Sequence, residues 1–213
     1  MTPISPIVGM RLRGNRIGAF YRRLQDWRYL RQWERSGRTG PAPQFVKSEI
    51  LKGYVRRHGL KVMVETGTFL GDMVESLRND MDHIYSIELS VDLYENACKR
   101  FARRRNVTIV QGDSGIILSS ILKQINRPCL FWLDGHYSGG ITACGSEETP
   151  ILRELQMIHA HPLASSHVIL IDDARQFRGD KYPAIKTLES LSRSAGFKTI
   201  ALEQDIIRIF NPL

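Results

Sequence analysis

The feature that most constrains the fold of this chain is an apolar run that ends in an acid and two closely spaced glycines. The run ends at Glu65, and Gly67 and Gly71 follow it. A second apolar run ends at Glu88, 23 positions after the first acid. A strand, a glycine turn, a helix and an acid-tipped strand form the layout of a nucleotide-type cofactor site in an open α/β sheet. Glycines let the backbone approach a ligand, and the second acid can accept hydrogen bonds from ribose hydroxyls.

Length and composition favour one globular domain with a short extension. The chain has 213 residues, of which 42% are hydrophobic, and this suffices for a single core. No apolar run approaches the roughly 20 residues that cross a bilayer, so no transmembrane segment is expected. Cys98, Cys129 and Cys144 show no CxxC spacing. They therefore indicate reduced thiols and a cytoplasmic location.

The net charge of +8 is concentrated near the N-terminus. Residues 1–60 hold 13 Lys and Arg against 3 Asp and Glu, whereas residues 61–213 hold 17 against 19. Such a basic extension can bind an anionic partner, for example nucleic acid or a phospholipid surface. The alternative, which we prefer, is a solvated basic helix that packs on the domain through its aromatic face.

Hydrophobic periodicity predicts two N-terminal helices. The first covers 16–35, and exposed Trp27 and Trp33 on it would suit a homodimer interface or membrane-surface docking. A linker rich in Gly and Pro, 36–43, separates it from a second helix at 44–57. We therefore divide the chain into a basic extension, 1–43, and a body, 44–213.

The body is predicted to alternate strictly between strands and helices. Strands are expected at 62–66, 83–88, 107–111, 129–134, 167–172, 197–202 and 205–210, and helices at 71–79, 91–104, 114–124, 149–160 and 183–194. The first five strands each lead into a helix and should be parallel. The last two are joined at Glu203 and Gln204 and should form an antiparallel hairpin. The predicted fold class is α/β, a Rossmann-like, doubly wound, seven-stranded, mostly parallel sheet with a C-terminal antiparallel hairpin and an N-terminal helical extension.

These motifs in this order resemble the class I S-adenosylmethionine-dependent methyltransferases, and the terminal hairpin distinguishes that family from NAD-binding Rossmann domains. The resemblance places Glu65 near the methionine amino group, Glu88 on the ribose, and Asp113 and Ser114 on the adenine side. Thr68 stands where many members have glycine, a variation found among small-molecule and sugar O-methyltransferases. Taken singly, an acid after a strand is also typical of a helix cap. The cofactor-binding residues that the resemblance implies are Glu65, Gly67, Thr68, Gly71, Glu88, Asp113, Ser114 and Asp134.

A cluster of acids is predicted where the fourth and fifth strands end. Asp134 follows one strand and Asp172 and Asp173 follow the other, and these strand ends should be neighbours. Close carboxylates raise one another's pKa unless a cation lies between them. Hard oxygen ligands suit Mg²⁺, Mn²⁺ or Ca²⁺. The pattern is similar to metal-dependent O-methyltransferases of macrolide sugars, in which a second acid stands at the position of His136.

A divalent ion at this cluster would lower the pKa of an acceptor hydroxyl and hold its oxygen in line with the methyl group. Asp134 and His136 are the predicted catalytic residues, with His136 as proton acceptor. The alternative is that His136 only hydrogen-bonds the loop. The glycine-rich stretch 137–149 is predicted to cover the acceptor, with Tyr137 and Arg175 as contacts.

The predicted function is therefore methyl transfer from S-adenosyl-L-methionine to a hydroxyl of a small-molecule or glycan acceptor, assisted by a divalent ion. One alternative is a nucleic-acid methyltransferase or binder that uses the basic arm, although the chain lacks the Asn/Asp-Pro-Pro-Tyr/Phe motif of amino-group methyltransferases. Another is a relative that binds the cofactor without methyl transfer. His159, His161 and His167 flank the entry of the fifth strand and are expected at the surface or in caps.

Overall fold

The computed structural model describes residues 27–38, 40–134 and 149–213. Within these ranges no helix is long and apolar enough to cross a membrane. The first part of the predicted N-terminal helix and most of the predicted acceptor loop lie outside the described residues. His136 and Tyr137 belong to that loop, so their predicted roles concern residues that the structure does not describe.

The described residues form the predicted elements. The strands are β1 Val62–Thr66, β2 His83–Glu88, β3 Val107–Gln111, β4 Cys129–Leu133, β5 Val168–Ile171, β6 Thr199–Glu203 and β7 Ile206–Phe210. The helices are α1 27–35, α2 Gln44–His58, α3 Asp72–Leu77, α4 Val91–Phe101, α5 Ser114–Leu122, α6 Ile151–His159 and α7 Ile185–Ser194, with short 3₁₀ helices at Ala164–Ser166 and Ala174–Gln176. Every predicted strand is confirmed to within two residues at each end.

The strands form one sheet in the order β3-β2-β1-β4-β5-β7-β6. The first five strands are mutually parallel, and β7 runs antiparallel between β5 and β6. The predicted fold class and the C-terminal hairpin are thus confirmed. The chain adds strands on one side of β1 up to β3 and then continues on the other side with β4. An open α/β sheet forms its ligand crevice at such a switch point, at the carboxyl ends of the strands.

Helices cover both faces of the sheet and create two apolar cores. All residues of β1, β4 and β5 are buried, as expected for parallel strands with helices on either side. One core contains side chains of α5, α6 and α7. The other contains side chains of α2, α3 and α4. Helix α2 is therefore packed as part of the body, while the domain boundary at residue 43 stays a prediction.

The expected exposure of Trp33 is wrong, whereas His167 takes the capping position that was one of its two expected placements. Trp33 is only 5% exposed, and its indole nitrogen donates to the carbonyl of Gly40 at 3.4 Å, although Trp27 is 51% exposed. His167 is 1% exposed, and it is the C-cap residue of the short helix Ala164–Ser166, in agreement with the capping alternative. Its Nδ1 accepts the amide of Cys129 at 3.0 Å, so it satisfies a buried donor at the start of β4.

Candidate active site

The carboxyl ends of three adjacent strands lie at the same level. Leu133 of β4 pairs with Thr66 of β1 and with Ile171 of β5. Asp134 and Asp172 therefore follow at the same edge. The amide of Asp134 donates to the carbonyl oxygen of Thr66 at 3.0 Å. The amide of Asp172 donates to the carbonyl oxygen of Leu133 at 3.1 Å. The prediction that these two strand ends are neighbours is confirmed.

The glycine turn after β1 is tied to the end of β2. The amides of Gly67 and Thr68 donate to the carbonyl of Ile87 at 2.9 and 3.2 Å. Gly67 has φ 87° and Gly71 has φ 73°, both in the left-handed region that glycine adopts without steric cost. A Cβ at Gly71 would lie 2.7 Å from the ring of Phe101. A side chain at position 71 would therefore strain the turn and displace the ring of Phe101.

Glu65 is buried and held by two hydroxyl groups in series. Ser86 donates to its Oε2 at 2.5 Å, and the hydroxyl of Thr68 lies 2.6 Å from that of Ser86. Burial raises the pKa of Glu65 to about 8, an effect that the Ser86 hydrogen bond opposes and repulsion by Glu88 reinforces. Thr68 thus supports the carboxyl group through Ser86, which a glycine at its position could not do.

Glu88 is fixed at the end of β2 by backbone amides. Its Oε2 accepts from Phe69 at 2.7 Å, and its Oε1 accepts from Ser90 at 2.9 Å. Burial raises the pKa of Glu88 and these backbone hydrogen bonds oppose the rise. The backbone of Leu89 also hydrogen-bonds this carboxylate. A carboxylate offers about four acceptor sites, so Glu88 can still accept a hydrogen bond from a ligand.

Asp113 acts as the N-cap of α5. Its side chain accepts from the amide of Gly115 at 2.8 Å, and Ser114 is the first, buried residue of the helix. Capping was the alternative that the sequence left open for such an acid. The adenine-side role of Asp113 and Ser114 stays a prediction.

Two cations and two neutral donors bind the aspartates that follow β5. Asp172 accepts Lys47 on Oδ2 and the amide of Asp173, at 2.8 Å, on Oδ1. Asp173 accepts Arg175 on Oδ1 at 2.7 Å and Gln176 on Oδ2 at 3.2 Å. Arg175 is also paired with Asp205. The aspartates after β5 are therefore already compensated by the chain's own donors.

The Lys47 ammonium interacts with all three aspartates of the predicted acid cluster. Burial by itself lowers the pKa of Lys47, but attraction by Asp172, Asp134 and Asp173 outweighs it and raises that pKa above its ordinary value. Burial raises the pKa of Asp172, and Lys47 offsets part of that rise. Lys47 therefore carries its charge at neutral pH.

No protein-family model matches the chain, and no curated protein matches it in sequence. The structure of a methyltransferase from Podospora anserina, PaMTH1 bound to S-adenosylhomocysteine, superposes with a TM-score of 0.54 at 13% identity, over 100% of this chain and 98% of that one. The O-methyltransferase TomG from Streptomyces achromogenes, bound to S-adenosylmethionine, gives 0.53 at 12%, over 88% and 89%. A candidate caffeoyl-CoA O-methyltransferase from Staphylococcus aureus gives 0.54 at 13%, over 86% and 91%.

The chain has the class I methyltransferase fold. At these identities the likeness concerns the fold, and the site must be argued from its own residues. The methyltransferase fold of this chain carries Glu65 and Glu88 on neighbouring strands, close enough for their charges to interact. Both acids lie at the glycine turn, because the amide of Phe69 donates to Glu88 and the hydroxyl of Thr68 contacts Ser86, which donates to Glu65.

Lys47 is not among the residues predicted from the sequence, although the sequence carries a signal for it. Lys47 precedes Leu51 by four residues and Val55 by eight, so it lies on the apolar face of α2. Lysine on a buried helical face is rare unless it is paired. Its position therefore indicated an acidic partner elsewhere in the fold.

The predicted metal ligands gain no support from the described geometry. In the part of the chain that the structure describes, no group of three or more His, Cys, Asp or Glu side chains could hold a metal ion. Two of the predicted ligands, Asp172 and Asp173, are instead bound by Lys47 and Arg175.

Proposed function

We propose that this chain is an S-adenosylmethionine-dependent O-methyltransferase that acts on a hydroxyl of a small-molecule or glycan-like acceptor. The observation that carries the proposal is the common edge of β1, β2 and β4, which gathers Glu65, Glu88 and Asp134 beside the glycine turn. This donor set fits the cofactor, because it offers one buried carboxyl group for an ammonium and one anchored carboxylate for ribose hydroxyls. PaMTH1 and TomG, which share the fold, bind S-adenosylhomocysteine and S-adenosylmethionine.

Each residue of the proposed cofactor site has a distinct task. Glu65 pairs with the ammonium of the methionine part, held in place by Ser86. Glu88 accepts from the ribose hydroxyls through the lone pairs that its backbone donors leave. Asp113 and Ser114 lie on the adenine side. The turn through Gly67, Thr68 and Gly71 brings the backbone close to the cofactor.

When bound, the cofactor supplies an electrophilic methyl group on a positively charged sulfur. The protein has to place the acceptor oxygen in line with that methyl group and exclude water. A C–O bond forms while the C–S bond breaks, the sulfur keeps the bonding electron pair, and the hydroxyl proton passes to a base. We assign Asp134 to positioning the hydroxyl and His136 to accepting the proton, with Tyr137 and Arg175 as acceptor contacts.

Oxygen is the proposed accepting atom for two reasons. TomG and the Staphylococcus aureus protein are named as O-methyltransferases. In this chain Asp134 stands at the end of β4, where a carboxylate can accept a hydrogen bond from a substrate hydroxyl.

The test is incubation with methyl-labelled S-adenosylmethionine and a panel of sugars, glycosides and phenols, with amines and RNA as a second panel. We expect label in a methyl ether of a hydroxylated acceptor, identified by mass spectrometry. Glu88→Gln should weaken S-adenosylhomocysteine binding by about tenfold, because one hydrogen bond to a charged group is worth about 1.5 kcal/mol. Glu49→Gln, at an exposed carboxylate of α2, is the matched control and should bind like the wild type.

Two results would contradict the proposal. One is label only in amines or RNA, which would point to another accepting atom. The other is equal cofactor binding by the wild type and by Glu88→Gln, which would remove Glu88 from the cofactor site.

A further inference from the structure

A lysine from outside the alternating strands and helices reaches the acidic edge of the sheet. Lys47 lies in the first turn of α2, where its amide donates to the carbonyl of Pro43 at 3.1 Å. Its side chain is 10% exposed. The ammonium donates to Asp172, whose side chain is 3% exposed, and lies 3.9 Å from Asp173. A charge buried to this degree requires close and complete partners.

The carboxylates that a metal ion would need already have donors. The four oxygens of Asp172 and Asp173 each accept a hydrogen bond, from Lys47, the Asp173 amide, Arg175 and Gln176. Two of those donors are cations. Mg²⁺ demands about six oxygen ligands at about 2.1 Å in near-octahedral geometry, so it would have to displace them and lie beside the Lys47 ammonium. The ligand set as placed does not fit a divalent ion.

We propose that Lys47 is the built-in cation of the acceptor site and that methyl transfer by this chain needs no divalent metal ion. The proposal rests on the proposed function. The ammonium compensates Asp172 and attracts Asp134, so it fixes the acidic edge against which the acceptor hydroxyl lies. Lys47 is a positioning residue, because it acts on the acceptor through these carboxylates.

Lys47→Met tests the assignment, because methionine keeps the length of the side chain and removes its charge. The variant leaves Asp134, Asp172 and Asp173 close together with less positive charge to compensate them, which favours a bound cation. In titrations with Mn²⁺ in the presence of S-adenosylhomocysteine, we expect no saturable binding by the wild type. Lys47→Met should bind Mn²⁺ saturably, with an affinity at least about tenfold above the upper limit that the titration sets for the wild type. Lys47→Arg should behave like the wild type.

Two controls separate charge from location. Lys52→Met removes a lysine of the same helix that pairs with exposed Glu49, and it should not gain Mn²⁺ affinity. Lys47→Met combined with Asp172→Asn removes both partners of the ion pair and should lose the gain. If Lys47→Met does not fold, Lys47→Gln takes its place, and the wild-type titration decides in any case.

The outcomes distinguish this assignment from the proposed function. If the wild type fails to bind S-adenosylhomocysteine, the proposed function fails, and the Mn²⁺ titration on the protein alone still reports on Lys47. If the wild type binds Mn²⁺ saturably, or if EDTA abolishes its methyl transfer, the Lys47 assignment is overturned. The Lys47 assignment is also overturned if a folded Lys47→Met variant binds S-adenosylhomocysteine and gains no Mn²⁺ affinity.

Discussion

Glu65 combines a buried carboxyl group with a place at the turn where a cationic ligand group would bind. Because burial raises its pKa to about 8, much of the free protein holds this group protonated at neutral pH. An ammonium beside it favours the ionised form and lowers the pKa in the complex. Cofactor binding should therefore release a proton, and affinity should fall as pH falls below about 8.

We expect the S-adenosylhomocysteine affinity of the wild type to weaken by roughly one to two orders of magnitude between pH 8 and pH 6, as linkage allows up to tenfold per pH unit. Calorimetry at several pH values, in buffers of different ionisation enthalpy, measures both affinity and proton release. Glu65→Gln should bind weakly with little pH dependence, and it corrects for titration of the ligand itself. A wild-type affinity that is equal at pH 6 and pH 8 would show that Glu65 does not meet the ammonium.

The turn between β1 and α3 depends on a residue without a side chain. Gly71 has φ 73°, and a Cβ there would lie 2.7 Å from Phe101 of α4. Gly71→Ala should destabilise the protein by about 2–4 kcal/mol, from the left-handed backbone and the displaced ring together. It should also weaken S-adenosylhomocysteine binding, because the turn that approaches the cofactor moves. Urea unfolding and calorimetry measure the two effects.

Gly53 offers a matched control within the chain. It lies inside α2, and a Cβ there would meet nothing within 4 Å. Gly53→Ala should therefore stabilise the protein by about 0.5–1 kcal/mol, because alanine loses less backbone freedom than glycine when the helix forms. Equal effects of the two substitutions on stability would contradict the role assigned to Gly71.

The elements of this fold were predictable because their physical causes are local. Strand β4 is a five-residue apolar run buried on both faces. Such a run between helices is typical of a central strand in a parallel sheet. The two-residue connection at Glu203 and Gln204 allows only an antiparallel hairpin. The order of strands puts the acids at the ends of β1 and β2 and the acid after β4 at one edge, and the register agrees with this.

The partners of buried polar groups were not predictable, because they depend on which surfaces meet in the folded chain. Lys47 and Asp172 are 125 positions apart, and their pairing follows only from the place where α2 packs in the fold. His167 is buried because the amide of Cys129, 38 positions away, needs an acceptor. A sequence shows that such residues carry polar atoms, but not which backbone group they satisfy.

At the scale of the whole molecule, strand order restricts the ligand class. The antiparallel β7 between β5 and β6 differs from the parallel order expected of NAD-binding Rossmann sheets. Both kinds of sheet place an acid at the end of β2, so Glu88 alone does not separate them. The buried carboxyl group of Glu65 does, because it suits an ammonium that a dinucleotide lacks.

Stabilisation of the protein by added ligand tests whether the crevice binds a methyl donor or a dinucleotide. S-adenosylhomocysteine at 100 times its Kd should stabilise the folded state by about 2.7 kcal/mol. For a chain of this length that corresponds to a Tm increase of roughly 5–10 °C. NADH should produce no increase beyond that of buffer, because it offers no ammonium to Glu65. Differential scanning calorimetry at a fixed protein concentration measures both.

Glu88→Gln sets the scale of that shift. A Kd about ten times weaker leaves the same ligand concentration at about ten times Kd, which stabilises by about 1.4 kcal/mol, so the Tm increase should fall to about half. Reduction by half requires that the ligand contact the carboxylate at the end of β2, since ligand bound elsewhere would shift both proteins equally. An increase with NADH that matches the one with S-adenosylhomocysteine would assign the crevice to dinucleotides and refute the methyl-donor site.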